Sequence, residues 1–415
     1  MKKQPPPIKK REFLESILGH EVHADEMQKY ENMVKANELA RVVDILEKGA
    51  VNRRDFLKSG RLAALLGGIA AVSNNCAGGS LMLGGVKETG PVHYPRLPGH
   101  KIQSPEHYGL EGCMVGYYFK RYGWDEPNDI IPFYERKVGK TPSIILFQYS
   151  GTKIPNVIPS GIITRMIQAA EKNVISFITY DARYYYEEEG YVFKKILTGE
   201  FDDAIKESAK KLRKYGEQYG GFFIRTMREM NLTRRWPPWG GIPHKFKKTW
   251  KHIWHIFNEE GANEYATWVW DPFISVARGA QYANSYYPGD SFVDWIGFNG
   301  YNFGGQLYQT YQTFSQLFTF EYSTMRKKHP TKPIMIVETG TDEMGSKEKW
   351  VKNAFRDVKE KFQGIKAICW WDEKWSHNTI VDFDSRIDSS PEALQAFKES
   401  IADPYFLGKV PYRKV

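Results

Sequence analysis

Eight short apolar runs alternate with longer amphipathic stretches along the C-terminal three quarters of this chain, and that alternation limits the fold more than any other feature. The runs lie at residues 113–119, 143–149, 174–180, 221–227, 266–270, 292–299, 334–338 and 367–371. The helix-like stretches between and after them lie at 161–172, 201–219, 244–258, 313–329, 347–362 and 391–401. Strand followed by helix, repeated this many times, predicts an α/β chain folded as a (β/α)8 TIM barrel. The fifth unit is short. A doubly wound open sheet is the alternative, but no glycine-rich phosphate loop follows the first strand.

A barrel keeps its chemistry at the C-terminal ends of its strands. Residues 220–241 read GGFFIRTMREMNLTRRWPPWGG. Phe222, Phe223 and Ile224 form a buried strand, which breaks into a polar and aromatic loop holding Arg225, Arg228, Glu229, Asn231, Trp236 and Trp239. Packing is a poor explanation for a carboxylate among arginines and tryptophans. A partner is at hand in residues 332–340, KPIMIVETG, where Glu338 closes a run apolar enough for a strand buried on both faces. Glu229 then follows the fourth strand and Glu338 ends the seventh, on one rim. Two carboxyl groups flanking one bond suit glycosidic cleavage, with one protonated to donate and the other ionised to attack. Glu229, in a loop, fits the acid/base. Glu338, at a strand end, fits the nucleophile.

Aromatic residues make up 15% of the chain, enough to supply stacking surfaces for sugar rings or simply a bulky core. The net charge of +9 is spread rather than blocked, so it points to a solvated surface, not a nucleic-acid module, though an acidic polysaccharide fits as well. Cys76, Cys113 and Cys369 have no metal-site spacing; the last two fall in neighbouring strands and are expected as buried free thiols. No haem, iron–sulfur or flavin motif is visible, so neither a cofactor nor a metal is expected. Asp294 reads as structural. Asp181 could line the cleft or pair with Arg183, and Tyr184–Tyr186 could extend it. Asp372, Glu373 and His377 read as a solvated rim.

The first 80 residues read as an extension and an address, to be left out of the fold. NRRDFLK at 52–58 resembles a twin-arginine export signal, and LAALLGGIAAV at 62–72 has the length of a signal's apolar region, too short to span a bilayer. Export by the twin-arginine translocase to the periplasm or exterior is expected, with no stable membrane span. Cys76 would be a lipid anchor, although Ser73-Asn74-Asn75 is a poor lipobox. Residues 81–108 are expected as a proline-rich linker and 109–415 as the catalytic domain.

Motifs in order along the chain resemble glycoside hydrolase family 26. REMN followed by WPPWGG is similar to that family's acid/base segment. ANEYATWVWDP at 262–272 and YPGDSFVDWIGFNGYN at 287–302 resemble two of its strands, KPIMIVETG its nucleophile strand, and Cys369-Trp370-Trp371 its last strand. The resemblance implies a (β/α)8 barrel and retaining hydrolysis of β-linked polysaccharides, mostly mannans, with β-1,3-xylan and mixed-linkage glucan in the minority. By position it makes Glu229 the acid/base and Glu338 the nucleophile. Tyr301 would hydrogen-bond the nucleophile, and Trp236 and Trp370 would be sugar platforms; Trp270 is a further substrate-binding candidate. Departures from the pattern are Arg228 for histidine, Asn299 for aspartate, Asp271 for serine and two extra residues before Trp236. Arg228 could lower a nearby carboxylate's pKa, bind an acidic sugar or pair with a local acid such as Asp271.

The expectation is an exported, retaining endo-glycoside hydrolase of β-mannanase type, acting on a mannan-like or acidic exopolysaccharide. The alternatives are a non-catalytic polysaccharide-binding barrel, a transglycosylase that remodels an exopolysaccharide, and an exported oxidoreductase.

Overall fold

A computed structural model describes residues 100–119, 127–150, 157–181, 191–232, 239–275, 280–304, 310–343, 345–377 and 381–410. The export signal, Cys76, Trp236, Arg234, Arg235, Arg183 and the 184–186 tyrosines lie outside them.

Eight parallel strands close on themselves. They are β1 (Cys113–Phe119), β2 (Ile144–Ser150), β3 (Ile175–Asp181), β4 (Phe222–Arg225), β5 (Ala266–Trp270), β6 (Trp295–Asn302), β7 (Ile334–Thr341) and β8 (Ile365–Asp372). Each pairs with the next, and β8 returns to β1 through six residue pairs from Met114↔Ala367 to Phe119↔Asp372. Helices lie between the strands: α1 (Pro127–Val138), α2 (Ser160–Glu171), α3 (Tyr191–Leu197), α4 (Asp202–Tyr219), α5 (Pro243–Glu259), α6 (Phe314–Lys328), α7 (Lys347–Glu360) and α8 (Pro391–Ala402). The fold is the expected (β/α)8 barrel.

Several bounds differ from the sequence reading, each for a local reason. Helix α1 was hidden by Pro132 inside it, which breaks the apolar period. Strand β4 stops at Arg225 because the chain turns to a positive φ at Met227. Strand β6 starts at Trp295, since 290–292 form a 3-10 turn and the Asp294 carboxylate accepts the backbone N–H of Trp268. No helix follows β5; the described residues there hold only the 3-10 turns Ala283–Tyr286 and Asp290–Phe292. After β8 comes a hairpin, β9 (Lys374–His377) with β10 (Val381–Asp384), and the short β11 (Phe406–Leu407) joins β1.

The linker was expected to run to residue 108, yet its described end packs on the barrel floor. Ile102 is buried, its N–H donates to Thr267 Oγ1 at 2.8 Å, and its carbonyl accepts from Trp295 Nε1 at 3.1 Å. Lys101 pairs with Asp294 at 2.7 Å.

Strand parity sorts the aromatics. On β5, Trp268 faces outward onto Trp250 and Phe257 of α5, and Trp270 onto Tyr287. On β8, Trp370 faces Trp350 of α7 and Phe397 of α8. Each fully buried aromatic contributes about 1.5–3 kcal/mol, so much of the aromatic excess is core between sheet and helices. Cys113 and Cys369 are buried free thiols.

The interior is layered. Phe177, Phe223 and Trp295 form an aromatic floor, with ring centroids 5.6 and 5.2 Å apart along that chain. Above it Val269, Gly297 and Val337 crowd together: a Cβ on Gly297 would lie 2.6 Å from Val337 Cγ2 and 3.0 Å from Val269 Cγ1. Polar residues cap this layer. Gly297→Ala should therefore destabilise the chain by about 1–3 kcal/mol through overpacking. Chemical denaturation measures it, and a neutral result would contradict the crowding.

Candidate active site

Two backbone irregularities aim the carboxylates. The first is a bulge in β7. Ile336 pairs with Phe298 and Ile368, but Glu338 pairs with Asn299 and Thr339 with Trp370, so β7 carries one extra residue relative to both neighbours. Val337 and Glu338 consequently both turn into the lumen. Val337 fills the space over Gly297 while Glu338 reaches Arg225.

The second is the turn after β4, where Met227 and Glu229 sit at φ 49° and 57°. Side chains rarely adopt this region, at a cost of roughly 1–2 kcal/mol per residue, so neighbouring bonds must hold the turn. Glu229 N–H donates to Asp271 O at 2.8 Å. Trp239 Nε1 donates to Arg228 O at 2.7 Å. The Asn231 amide donates to Phe273 O at 2.7 Å and Gln281 O at 3.0 Å, and accepts from Phe273 N at 2.8 Å. Asn231 and Trp239 were expected to contact substrate. Both are fully buried pins that set the turn bearing Glu229.

Arg225 occupies the centre of the lumen, fully buried, 5.7 Å over the Phe177 ring. It donates to Thr179 Oγ1 at 2.8 Å and to the carboxylates of Asp271 and Glu338. Burial alone would lower its pKa, but Glu338 and Asp271 outweigh that and raise it, so the cation is permanent. Arg225 was expected at the substrate; it lies beneath the mouth and holds the carboxylates there.

Tyr301 Oη donates to Glu338 Oε2 at 2.6 Å, the contact that the family resemblance implied. Burial first, then the Glu338 charge, push that phenol well above its ordinary range. Glu338 thus accepts charge-assisted hydrogen bonding from a guanidinium on one oxygen and a phenol on the other. Glu229 remains half-buried in the mouth. Its Oε1 accepts from Asn299 Nδ2 at 3.1 Å. Loss of water, then repulsion from Glu338, push its pKa up to about 7, against an opposing pull from Arg228. Asp271 also rises to about 7, chiefly by burial.

Arg228 pairs with Asp181 at the end of β3, not with Asp271. Asp181 is fully buried as a side chain and its second oxygen has no partner. Trp270 and Trp370, expected at the sugar, pack outward as described. The mouth aromatic from β8 is Trp371, one residue on and therefore on the opposite face. Its ring stacks on Tyr118 with centroids 3.7 Å apart and meets Tyr301 edge-on at 6.3 Å, and its Nε1 has no partner. Counting faces back from Trp370 could have found it. Asp372 is fully buried, accepting from Tyr134 Oη and Ile387 N, so it is not part of a solvated rim. Among the described residues no cluster of His, Cys, Asp or Glu could hold a metal, and no helix is long and apolar enough to cross a membrane.

Two measurable consequences follow from these charges. Asp181→Ala leaves Arg228 buried without its partner and should cost about 3–5 kcal/mol on denaturation; a loss below 1 kcal/mol would contradict the pairing. Glu229 and Asp271 both bind protons more tightly folded than unfolded. Stability should therefore fall as pH rises from about 4 to about 7, and Glu229→Gln should flatten that slope. Thermal melts across this window check it, and an unchanged slope would count against a raised Glu229.

The fold has known counterparts. Residues 178–328 match the model of glycosyl hydrolase family 26, a segment that carries Glu229 and Tyr301 and stops short of Glu338. Endoglucanase H of Acetivibrio thermocellus is 30% identical over 217 residues, covering 50% of this chain and 22% of that relative. The chain thus spans about a fifth of the curated relative's length. Among solved structures, a family 26 β-mannanase from Bacteroides ovatus superposes with a TM-score of 0.54 at 14% identity, covering 74% of this chain and 93% of the other. The catalytic domain of a Bacillus sp. JAMB-750 family 26 endo-β-1,4-mannanase gives 0.54 at 16%, covering 73% and 89%. At such identities the likeness speaks for the fold. Residues 178–328 are thus similar to glycosyl hydrolase family 26, and the barrel has the fold of solved family 26 proteins.

Proposed function

We propose that the protein is a retaining glycoside hydrolase that cleaves β-linked polysaccharide chains internally, with Glu229 as acid/base and Glu338 as nucleophile. One observation carries the reading. A single mouth holds two carboxyl groups in opposite settings, Glu229 pushed up to about 7 and Glu338 held by Arg225 and Tyr301.

In the first step Glu229 gives its proton to the glycosidic oxygen while Glu338 attacks the anomeric carbon. The C–O bond breaks, the leaving chain departs as an alcohol, and a glycosyl ester forms on Glu338. Esterification removes the Glu338 charge that helps to raise Glu229. The pKa of Glu229 thereby falls, which leaves it deprotonated and ready to accept a proton in the second step. It takes a proton from water, the hydroxyl attacks the anomeric carbon, and the Glu338 carboxylate is released.

Arg228 spends its charge on Asp181 within the protein, which favours a neutral β-glucan or mannan over an acidic polymer. The endoglucanase and mannanase names of the similar proteins agree with that class. Trp371 is the mouth aromatic best placed to stack on a sugar. For delivery, the order of NRRDFLK and the apolar run at 62–72 supports export by the twin-arginine route, which Arg53→Lys with Arg54→Lys should block.

Glu338→Ala should reduce turnover at least ~1,000-fold, with azide restoring activity and giving a glycosyl azide. Product sizing on mannan, xylan, β-glucan and acidic bacterial exopolysaccharides identifies the substrate. Wild-type rates in Glu338→Ala on the cleaved glycan would refute the assignment. In wild type, activity should fall as pH rises through about 7, as Glu229 loses its proton.

A further inference from the structure

Beneath the mouth lies a third carboxyl group that the mechanism above does not use. Asp271 follows β5 directly and is 1% exposed. One of its oxygens, Oδ2, accepts from Arg225 Nη1, while the other arm of Arg225 reaches Glu338. The same Oδ2 is 3.3 Å from Asn299 Nδ2, and that nitrogen is also 3.1 Å from Glu229 Oε1. The backbone repeats the link, since Glu229 N–H donates to Asp271 O at 2.8 Å. A continuous chain of contacts therefore runs Glu229, Asn299, Asp271, Arg225, Glu338, Tyr301.

The remaining oxygens mark this as a tuned arrangement. Asp271 Oδ1 and Asn299 Oδ1 are both buried with no hydrogen-bond partner. Oδ1 faces Gly297, where a Cβ would stand 3.2 Å away, so nothing polar from that strand solvates it. A buried carboxyl with one bare oxygen is costly to ionise. The charged and titratable groups around it come from several elements. Arg225, Arg228 and Glu229 belong to β4 and its turn, Glu338 to β7 and Cys369 to β8. Two cations and three carboxyl groups, with Asp181 a fourth acid on Arg228, leave more acid than the arginines can neutralise.

We infer that Asp271 is a positioning residue: it claims half of Arg225, shares the Asn299 amide with Glu229, and so keeps the acid/base proton-bearing beside the nucleophile. Two effects point the same way. Asp271 repels charge on Glu229, and it withholds from Glu229 part of the Arg225 field that would otherwise draw that proton off. Removing the Asp271 charge releases both. The inference rests on the hydrolase reading for its purpose, though not for its test.

The full chain, labelled with 13C at its Glu and Asp carboxyl carbons, reports the Glu229 titration directly, with Glu229→Gln assigning the signal. In Asp271→Asn the Glu229 midpoint should move toward acid by about half to one pH unit. The alkaline limb of kcat/KM on a cleaved glycan should move with it. In Asn299→Asp, which puts a carboxyl between Asp271 and Glu229, the midpoint should move toward base. The paired exchange Asp271→Asn with Asn299→Asp should return it toward wild type. A structural role alone would lower activity and leave every midpoint in place. Midpoints within about 0.2 unit of wild type in Asp271→Asn overturn the inference. If that variant does not fold by near-ultraviolet circular dichroism, an unmoved midpoint in Asn299→Asp overturns it instead. A wild-type chain that cleaves no glycan refutes the hydrolase reading, and the titration still decides the role of Asp271.

Discussion

The site depends on one buried cation. Arg225 stands in the lumen with no exposure, on an aromatic floor, and two carboxyl groups close on it, Asp271 from the end of neighbouring β5 and Glu338 from β7. A guanidinium so placed could not stay charged without them, and neither carboxylate could be ionised there without it. Its planar fork lets one arm meet Asp271 and the other Glu338, which a lysine could not do. Once that triad is set, the other choices follow. Thr179 accepts the Nε–H at 2.8 Å, Tyr301 donates to Glu338, and Glu229 is left with an amide and a surplus of negative neighbours.

Geometry delivers these groups at some local cost. The extra residue in β7 turns Glu338 inward without displacing Val337 from the core. The left-handed φ at Glu229 brings its carboxyl over the strand that it has just left. The turn is fixed by bonds to fully buried side chains. Asn231 acts as a surrogate peptide group between two rim loops, and the Trp239 indole locks the carbonyl of Arg228. Strain at the mouth is offset by a rigid surround, as a preorganised site requires.

The barrel was legible because strand and helix periods differ so clearly in sequence. The bounds of β1 and β5 coincide with the apolar runs that announced them, and Glu229 and Glu338 meet in one mouth as their strand ends implied. What the sequence hid was mostly parity. In Trp370-Trp371 one ring packs against α7 and α8 and the other faces the mouth, and residue type alone does not say which. The partners of the arginines were hidden for another reason. Asp181 ends β3 and Arg228 lies in the turn after β4, and it is the pairing of those two strands that brings them together. Helix α1 escaped notice because Pro132 interrupts its pattern.

The central claim is that two carboxyl groups act in turn on one anomeric carbon. The configuration of the first-formed product tests it most directly. Proton NMR of the anomeric signals, recorded within minutes of adding enzyme to a β-linked oligosaccharide that it cleaves, should show the β-anomer appearing first and mutarotating slowly to α. An α-anomer formed first would mean single displacement by water, and would contradict Glu338 as nucleophile.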